Sequence, residues 1–247
     1  MKKKKILYIP LLLAVFLISC NDAKEGAYDA NAIASLDKLT ETIGKLDACS
    51  YSLVTNITHS DKSKLPAEHR ENDVYLKGPN KLHVYTKEVG NRKGYYYNGS
   101  ELSLFRFDKN TYETLKAPNN TIETITAVHD KYGIDFPAAD FFYPTLTDDM
   151  IRDFDTIANL GKIKIDGVEC NEINAKNAKM NVFVSIDATT NLPKKLEIYY
   201  LGEEKGKSYN ITFIDFKTNP NLEDKIFEFT PPETAVKTDL LTQKLDN

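Results

Sequence analysis

The chain has no tryptophan, only three cysteines and four histidines, and no apolar run long enough to cross a bilayer. Each shortage excludes something. A membrane-crossing helix needs about 20 consecutive apolar residues, whereas the longest such stretch, Ile6 to Ile18, has 13. The histidines, His59, His69, His83 and His129, are scattered without the i, i+4 spacing of a helical metal pair. His59 and His83 fall in strand patterns and are expected to face solvent. Neither Cys49 nor Cys170 has the spacing of a metal knuckle or a redox pair. The sequence contains no Gly-x-Ser-x-Gly elbow, phosphate-binding loop or dinucleotide fingerprint. The acid pairs Asp148-Asp149 and Glu203-Glu204 stand at a helix start and a turn, where acids are favoured for structural reasons. The pattern is that of a non-enzyme needing no cofactor or metal. Lys and Arg (32) are outnumbered by Asp and Glu (36), and the chain lacks the clustered cations that nucleic acid requires.

The one dense basic block, Lys2 to Lys5, precedes the 13-residue apolar run, which is the layout of a secretory signal. Pro10 would weaken a longer helix there. The run ends in Leu17-Ile18-Ser19-Cys20, which resembles the bacterial lipobox. That resemblance implies that the Cys20 sulfur receives a diacylglycerol thioether, that the chain is cut after Ser19, and that the new amine is acylated. Two or more acyl chains anchor a protein stably, at about 0.8 kcal/mol per buried CH2. The expected organisation is a signal peptide at 1–19, a short polar tether at 20–28 and a single domain at 29–247. Loss of the signal removes four lysines and takes the formal charge from −4 to −8. The expected location is the Gram-negative cell envelope, facing the periplasm, with the outer membrane preferred to the inner. In such an oxidising compartment Cys49 and Cys170 either form a disulfide or remain two buried thiols.

What is plentiful is Tyr (14) and Phe (12), which leans toward sheet. From Tyr28 to Asp47, Ile33, Leu36, Leu39, Ile43 and Leu46 recur at steps of three and four, so one apolar helix face is predicted. The rhythm then turns to strands, at Cys49–His59, Asp73–Gly78, Lys81–Val89 and Lys93–Phe107. The last of these folds at Asn98-Gly99, a strong signal for a type I′ hairpin turn. Asn120 to Gly133 reads as a helix capped by Asn120 or Thr121 and stopped by Gly133. A Pro- and aromatic-rich stretch follows, with a short helix after Thr147. Strands resume from Ala158 to Asn219, folding back at Asp166-Gly167. About ten strands result, with no crossover helices between them, so the sheet should be antiparallel. Ile211 and Phe213 against Ile214 and Phe216 suggest apolar residues on both faces, as in a strongly curved sheet wrapped around helices.

The segment Leu192 to Pro232 resembles the end of LolA-like carriers and receptors of outer-membrane lipoproteins. It carries Pro-x-Lys-Leu, a final strand, Asn-Pro and a closing Phe-x-Phe-x-Pro-Pro. "GYYYNGSELSLF" from Gly94, "KYGIDFPAADFFY" from Lys131 and "IDGVECNEI" from Ile165 are similar to an uncharacterised family of predicted periplasmic proteins (domain of unknown function 2092) in the same superfamily. The resemblance implies a mainly β, α+β fold. It is an unclosed half-barrel of strongly curved antiparallel strands, with a long N-terminal helix and a central helical excursion covering the concave face. It further implies an apolar cavity that accepts acyl chains. Phe136, Phe141, Phe142 and Tyr143 are the residues expected to line or cover it. The expected partners are the membrane, through Cys20, and a lipid or lipoprotein ligand, with the chain a monomer. The alternative is a structural or sensory module with a filled core that binds a protein.

Replacing Cys20 by Ser should release the protein from the membrane fraction without changing its thermal midpoint, because the tether separates anchor from fold. A Ser variant that still pellets with membranes would remove the lipobox reading.

Overall fold

The computed structural model describes residues 27–239; the expected signal, Cys20 and all but the end of the tether lie outside the described residues. Helix α1 (Ala30–Gly44) follows Asp29, whose carboxylate accepts from the Asn31 and Ala32 amides. Such a cap satisfies amides that have no partner within the helix. It buries Ala32, Leu36, Leu39 and Ile43 along one stripe. The helix is shorter than its rhythm because Tyr28 leaves it: Tyr28 bridges Ile157, and its hydroxyl donates to the Ile151 and Phe154 carbonyls.

The strands form two meanders. The first runs β1 (Ala48–Thr58), β2 (Glu68–Lys77), β3 (Lys81–Thr86), β4 (Lys93–Tyr97), β5 (Glu101–Arg106) and β6 (Thr111–Lys116). The second runs β7 (Thr156–Ile165), β8 (Val168–Lys176), β9 (Met180–Asp187), β10 (Pro193–Tyr200) and β11 (Ser208–Thr218). The two long strands β1 and β11 pair and weld the meanders together. A short β12 (Val236–Lys237) adds in parallel to the edge of β6, an exception to the expected antiparallel pairing. The result is one curved, unclosed sheet of twelve strands, in the order β12-β6-β5-β4-β3-β2-β1-β11-β10-β9-β8-β7.

Strands β6 and β7 are consecutive in the chain yet lie at opposite sides of the sheet. The connection between them carries α2 (Thr121–Tyr132), a tight helical turn (Ala139–Phe142) and α3 (Leu146–Asp153). Its buried side chains join those of α1 and of the sheet's concave face in a single core. Directly paired residues share a face, so the registers give that concave face as rows. Cys49, Leu76, Leu82, Tyr97, Leu102 and Leu115 form one row; Tyr51, Val74, Val84, Tyr95 and Leu104 form the next.

The apparent apolarity of both faces of β11 has a different origin. An extra residue in β11 opposite Tyr51 makes a bulge at Asp215, whose φ is +51°. A bulge breaks strict alternation. Phe216 thereby joins Phe213 on the concave side, its ring 5.0 Å from Tyr51, while Ile214 stays 38% exposed on the other face. The convex side of the first meander is covered by the C-terminal segment. Phe227 is fully buried, and Phe229 packs on Tyr96, Phe105 and Tyr112. This is where the Phe-x-Phe element closes the domain.

Several expectations are corrected. Asn98 does not enter the positive-φ region; only Gly99 does, at +101°. The Asn98 side chain instead accepts from the Ser100 and Glu101 amides, and its own amide donates to the Glu101 carbonyl, so side-chain capping replaces the type I′ turn. A Cβ at Gly99 would meet the Asn80 side-chain amide at 2.6 Å, so glycine is required there on two counts. The two-residue hairpin with both residues at positive φ is at Asp166-Gly167. Helix α3 starts at Leu146 rather than after Thr147. Cys49 and Cys170 are free buried thiols. Three strands separate β1 from β8, and the registers put Cys49 on the concave face and Cys170 on the convex one, so no disulfide can join them. Neither His59 nor His83 faces solvent. His59 Nε2 meets the Glu68 carboxylate at 3.0 Å. His83 is sandwiched between the rings of Tyr75 and Tyr96, and neither of its nitrogens has a hydrogen-bond partner among the described residues.

Burial lowers the His83 imidazole to about 4, against the opposing influence of Asp73. In the unfolded chain the same ring protonates near 6.5. Stability contributed by the neutral ring is therefore complete above that value and is lost as pH falls from 6.5 towards 4, on the order of 3 kcal/mol in all. His83→Phe keeps the ring stack and removes the titration. Urea unfolding at pH 7 and pH 5 should show a smaller acid-side loss in the variant. Equal losses in both proteins would mean that His83 is already solvated.

Candidate functional site

The excursion between β6 and β7 is built by local signals. Asn120 caps α2 by accepting from the Ile122 and Glu123 amides, and Gly133, at φ +62°, ends it. Pro137 and Pro144 bracket the tight turn at Ala139–Phe142, outside any α-helix, as a rigid φ requires. Ala138 takes φ +59° to enter that turn. The Thr145 hydroxyl then donates to Asp149 at the start of α3.

Turned this way, the four expected aromatic residues come together over the sheet. Phe136 stands edge-on to Tyr95 of β4 at 5.2 Å. Phe141, 2% exposed, stands edge-on to Phe213 of β11 at 5.5 Å. Phe142 stacks on Tyr51 at 6.0 Å. Tyr143 is half-buried, and its hydroxyl lies 2.9 Å from that of Thr126 on α2. Offset and edge-on pairs are the favoured ring geometries. Of the platform they rest on, Tyr51 was not singled out in the sequence, and Phe213 and Phe216 were expected on opposite faces. Its alternation along β1 was readable, but the bulge that adds Phe216 was not.

The lid does not fill the hollow. A cavity of about 310 Å³ lies between α3 and strands β9 and β10, lined by Phe141, Leu146, Met150, Val182, Val184 and Leu196. A larger one of about 500 Å³ lies under α2 and the Pro137 segment. The two share Asp140, Tyr143, Leu196 and Ile198 at their common wall. Their sizes fall in the range of small-molecule sites, which are mostly apolar with a few placed polar groups. Asp140 is such a group: burial of its carboxyl, and then Asp135 and Asp149, hold it above the usual carboxylate range. Phe142 instead borders a third hollow of about 270 Å³ beside α1 and Gly78-Pro79.

The concave face also has a polar end. The row next to Val84 and Tyr95 reads Leu53, Asn72, Thr86, Lys93 and Arg106 across the strands. A recess of about 80 Å³ opens there and shares Arg70, Asp135, Phe136, Pro137 and Tyr209 with the 500 Å³ cavity. Beside it Arg106 bonds the buried carboxylate of Glu113 at 2.7 Å. Nothing in the one-dimensional pattern marked these polar residues as inward-facing, because each sits singly in its own strand. Among the described residues no group of three His, Cys, Asp or Glu side chains is placed to hold a metal ion.

An open, strongly curved sheet roofed by an aromatic helical segment, with cavities beneath the roof, defines an unclosed half-barrel. Residues 32–241 match the family described as predicted periplasmic protein, DUF2092, and the chain belongs to that family. An uncharacterized conserved protein from Thermus thermophilus has a similar structure, with TM-score 0.51 and 9% identity over 84% of this chain and 98% of its own. Two others align at lower scores. Lipoprotein LppX of Mycobacterium tuberculosis gives 0.49 at 14% identity, over 79% of this chain and 100% of its own. A LolA superfamily protein of Nitrosomonas europaea gives 0.37 at 15% identity, over 80% of this chain and 97% of its own. Among curated proteins, no sequence matches the chain significantly.

The burial difference between the two neighbouring phenylalanines sets an expected outcome. Phe141→Ala should destabilise the fold by about 3–5 kcal/mol in urea denaturation, as for a fully buried ring. Phe142→Ala should cost less than half as much. Equally small losses for both would show that the lid is only loosely laid on the sheet.

Proposed function

We propose that this is a lipid-anchored, non-catalytic envelope protein that holds an acyl chain or lipoprotein lipid inside its half-barrel. One observation carries the reading: the lid formed by Phe136, Phe141, Phe142 and Tyr143 seats on the sheet yet leaves two adjoining cavities, of which the one beneath α3 is walled mostly by aliphatic and aromatic side chains and the larger one is more polar. An apolar space of this kind gains about 0.8 kcal/mol for each CH2 it removes from water, so a long chain binds without polar specificity. Membership of a family of predicted periplasmic proteins agrees with a location in the envelope. Attachment through Cys20 would leave the domain at the membrane surface, close to a supply of lipid. In this reading the signal peptide is residues 1–19, the tether 20–28 and the working domain 29–247, acting as a monomer at the outer membrane.

The test is lipid mass spectrometry on the domain purified without its anchor, before and after incubation with vesicles of bacterial phospholipid. A co-purifying or exchangeable lipid, lost when Leu196 and Val184 are replaced by larger rings that fill the cavity, is the expected result. A domain that neither carries nor takes up lipid would sink the proposal and favour a filled half-barrel that binds a protein partner.

A further inference from the structure

The polar recess at the end of the concave face has a chemical bias that the apolar cavities do not explain. Thr86 donates its hydroxyl to the Asn72 side-chain carbonyl at 2.8 Å, which fixes the amide and turns its Nδ2 away. That Nδ2, on a residue 2% exposed, has no acceptor among the described residues. Nor does the Nε of Arg70 have a hydrogen-bond acceptor: the Glu88 carboxylate lies 4.0 Å from it, and the other end of the same guanidinium is held by Glu68. The Thr55 hydroxyl, directly opposite Arg70 across β1 and β2, is buried and unpartnered too. Three buried polar groups in one recess thus lack hydrogen-bond partners among the described residues, and two of them can only donate. Buried polar groups are nearly always satisfied, so each such exception asks what it binds.

The charges around the recess point the same way. Its carboxylates are already engaged: Glu88 accepts from the Asn91 amide at 2.6 Å and lies 4.0 Å from Arg70, and Asp135 meets the His129 imidazole at 2.7 Å. Arg106 is held by Glu113. Among the described residues no carboxylate lies within 4.0 Å of the Lys93 ammonium, and Glu88 is the acid that acts on it. Burial lowers its ammonium below the usual range, and Arg70, Arg106 and Lys109 push it further down against Glu88 alone. The phenol of Tyr209, pushed up to about 12 by burial, remains a donor on the side shared with the large cavity.

We infer that this recess binds the anionic, oxygen-rich head group, a carboxylate or phosphate, of an amphiphile whose chain lies in the adjoining cavities, with Asn72, Arg70, Thr55 and Lys93 as its donors. The inference rests on the lipid-holding reading above. It adds a polarity to the site: head towards the open ends of β2, β3 and β4, tail towards α3.

The test is a displacement titration of a fluorescent fatty-acid probe from the anchor-free domain. The competitors are palmitate, lysophosphatidylglycerol, the uncharged monopalmitoylglycerol and inorganic phosphate. Palmitate or lysophosphatidylglycerol should compete about tenfold better than monopalmitoylglycerol, the scale of one charge-assisted hydrogen bond. Lys93→Gln, with its thermal midpoint measured, should erase that preference without weakening monopalmitoylglycerol. Asn72→Leu should do the same, with its thermal midpoint checked alongside. If charged and uncharged lipids compete equally in the wild type, or the preference survives Lys93→Gln, the head-group site is refuted while lipid binding stands. If no lipid displaces or binds, the underlying reading fails with it. If inorganic phosphate alone competes as well as the anionic lipids, the recess is an anion site unrelated to an amphiphile, and the inference falls.

Discussion

Everything in this molecule follows from one constraint: two strands adjacent in sequence, β6 and β7, stand at opposite sides of a sheet that does not close. The chain must travel between them, and it carries enough apolar area to make the concave face the favourable route. The same crossing solves two problems. It buries the inner rows of the sheet, which water would otherwise wet, and it hides Phe136, Phe141 and Leu146, which an exposed loop would not tolerate. A long connection that lies across a hollow is also the natural place for a binding site, because it cannot match the curved surface at every point. The cavities lie where α3 and the Pro137 segment stand away from β9, β10 and β11.

The second device is the pairing of β1 with β11. These are long strands from the two ends of the folded domain, and their ladder is what turns two separate meanders into one sheet. The bulge at Asp215 lies within that ladder. It rotates one further ring onto the platform beneath the lid, so a local irregularity of the backbone sets the packing of Tyr51, Phe142 and Phe216. The C-terminal segment then covers the convex face of the first meander, held by Lys77 and Lys81 on Asp224 as well as by its phenylalanines. Surface ion pairs of this sort contribute little on their own; the buried Phe227 ring does most of the fastening.

Polarity is unevenly distributed along the concave face. Two inner rows are almost wholly apolar, and the third holds Asn72, Thr86, Lys93 and Arg106. A core packed only for stability would place such groups outward, because each buried donor without an acceptor is costly. They lie next to cavities of several hundred cubic ångströms, so one end of the hollow is more polar than the other.

By itself, the sequence determined the element types, because periodicity acts locally. The stripe of Leu36, Leu39 and Ile43, the Asn120 and Gly133 signals bounding α2, and the hairpin at Asp166-Gly167 are all contained in short windows. It also marked the lid aromatics, since so much apolar area in a Pro-bracketed loop has to be buried somewhere. The start of α3 and the conformation at Asn98-Gly99 were misplaced, because competing side-chain hydrogen bonds from Thr145 and Asn98 outweigh generic propensity. Tertiary structure alone decided that Cys49 and Cys170 lie on opposite faces, that His83 is stacked between two tyrosines, and that Phe216 points inward. It alone gathered Thr55, Arg70, Asn72 and Lys93 into one recess. Those facts depend on strand order, register and a single bulge, which join residues tens of positions apart, and no local pattern carries that information.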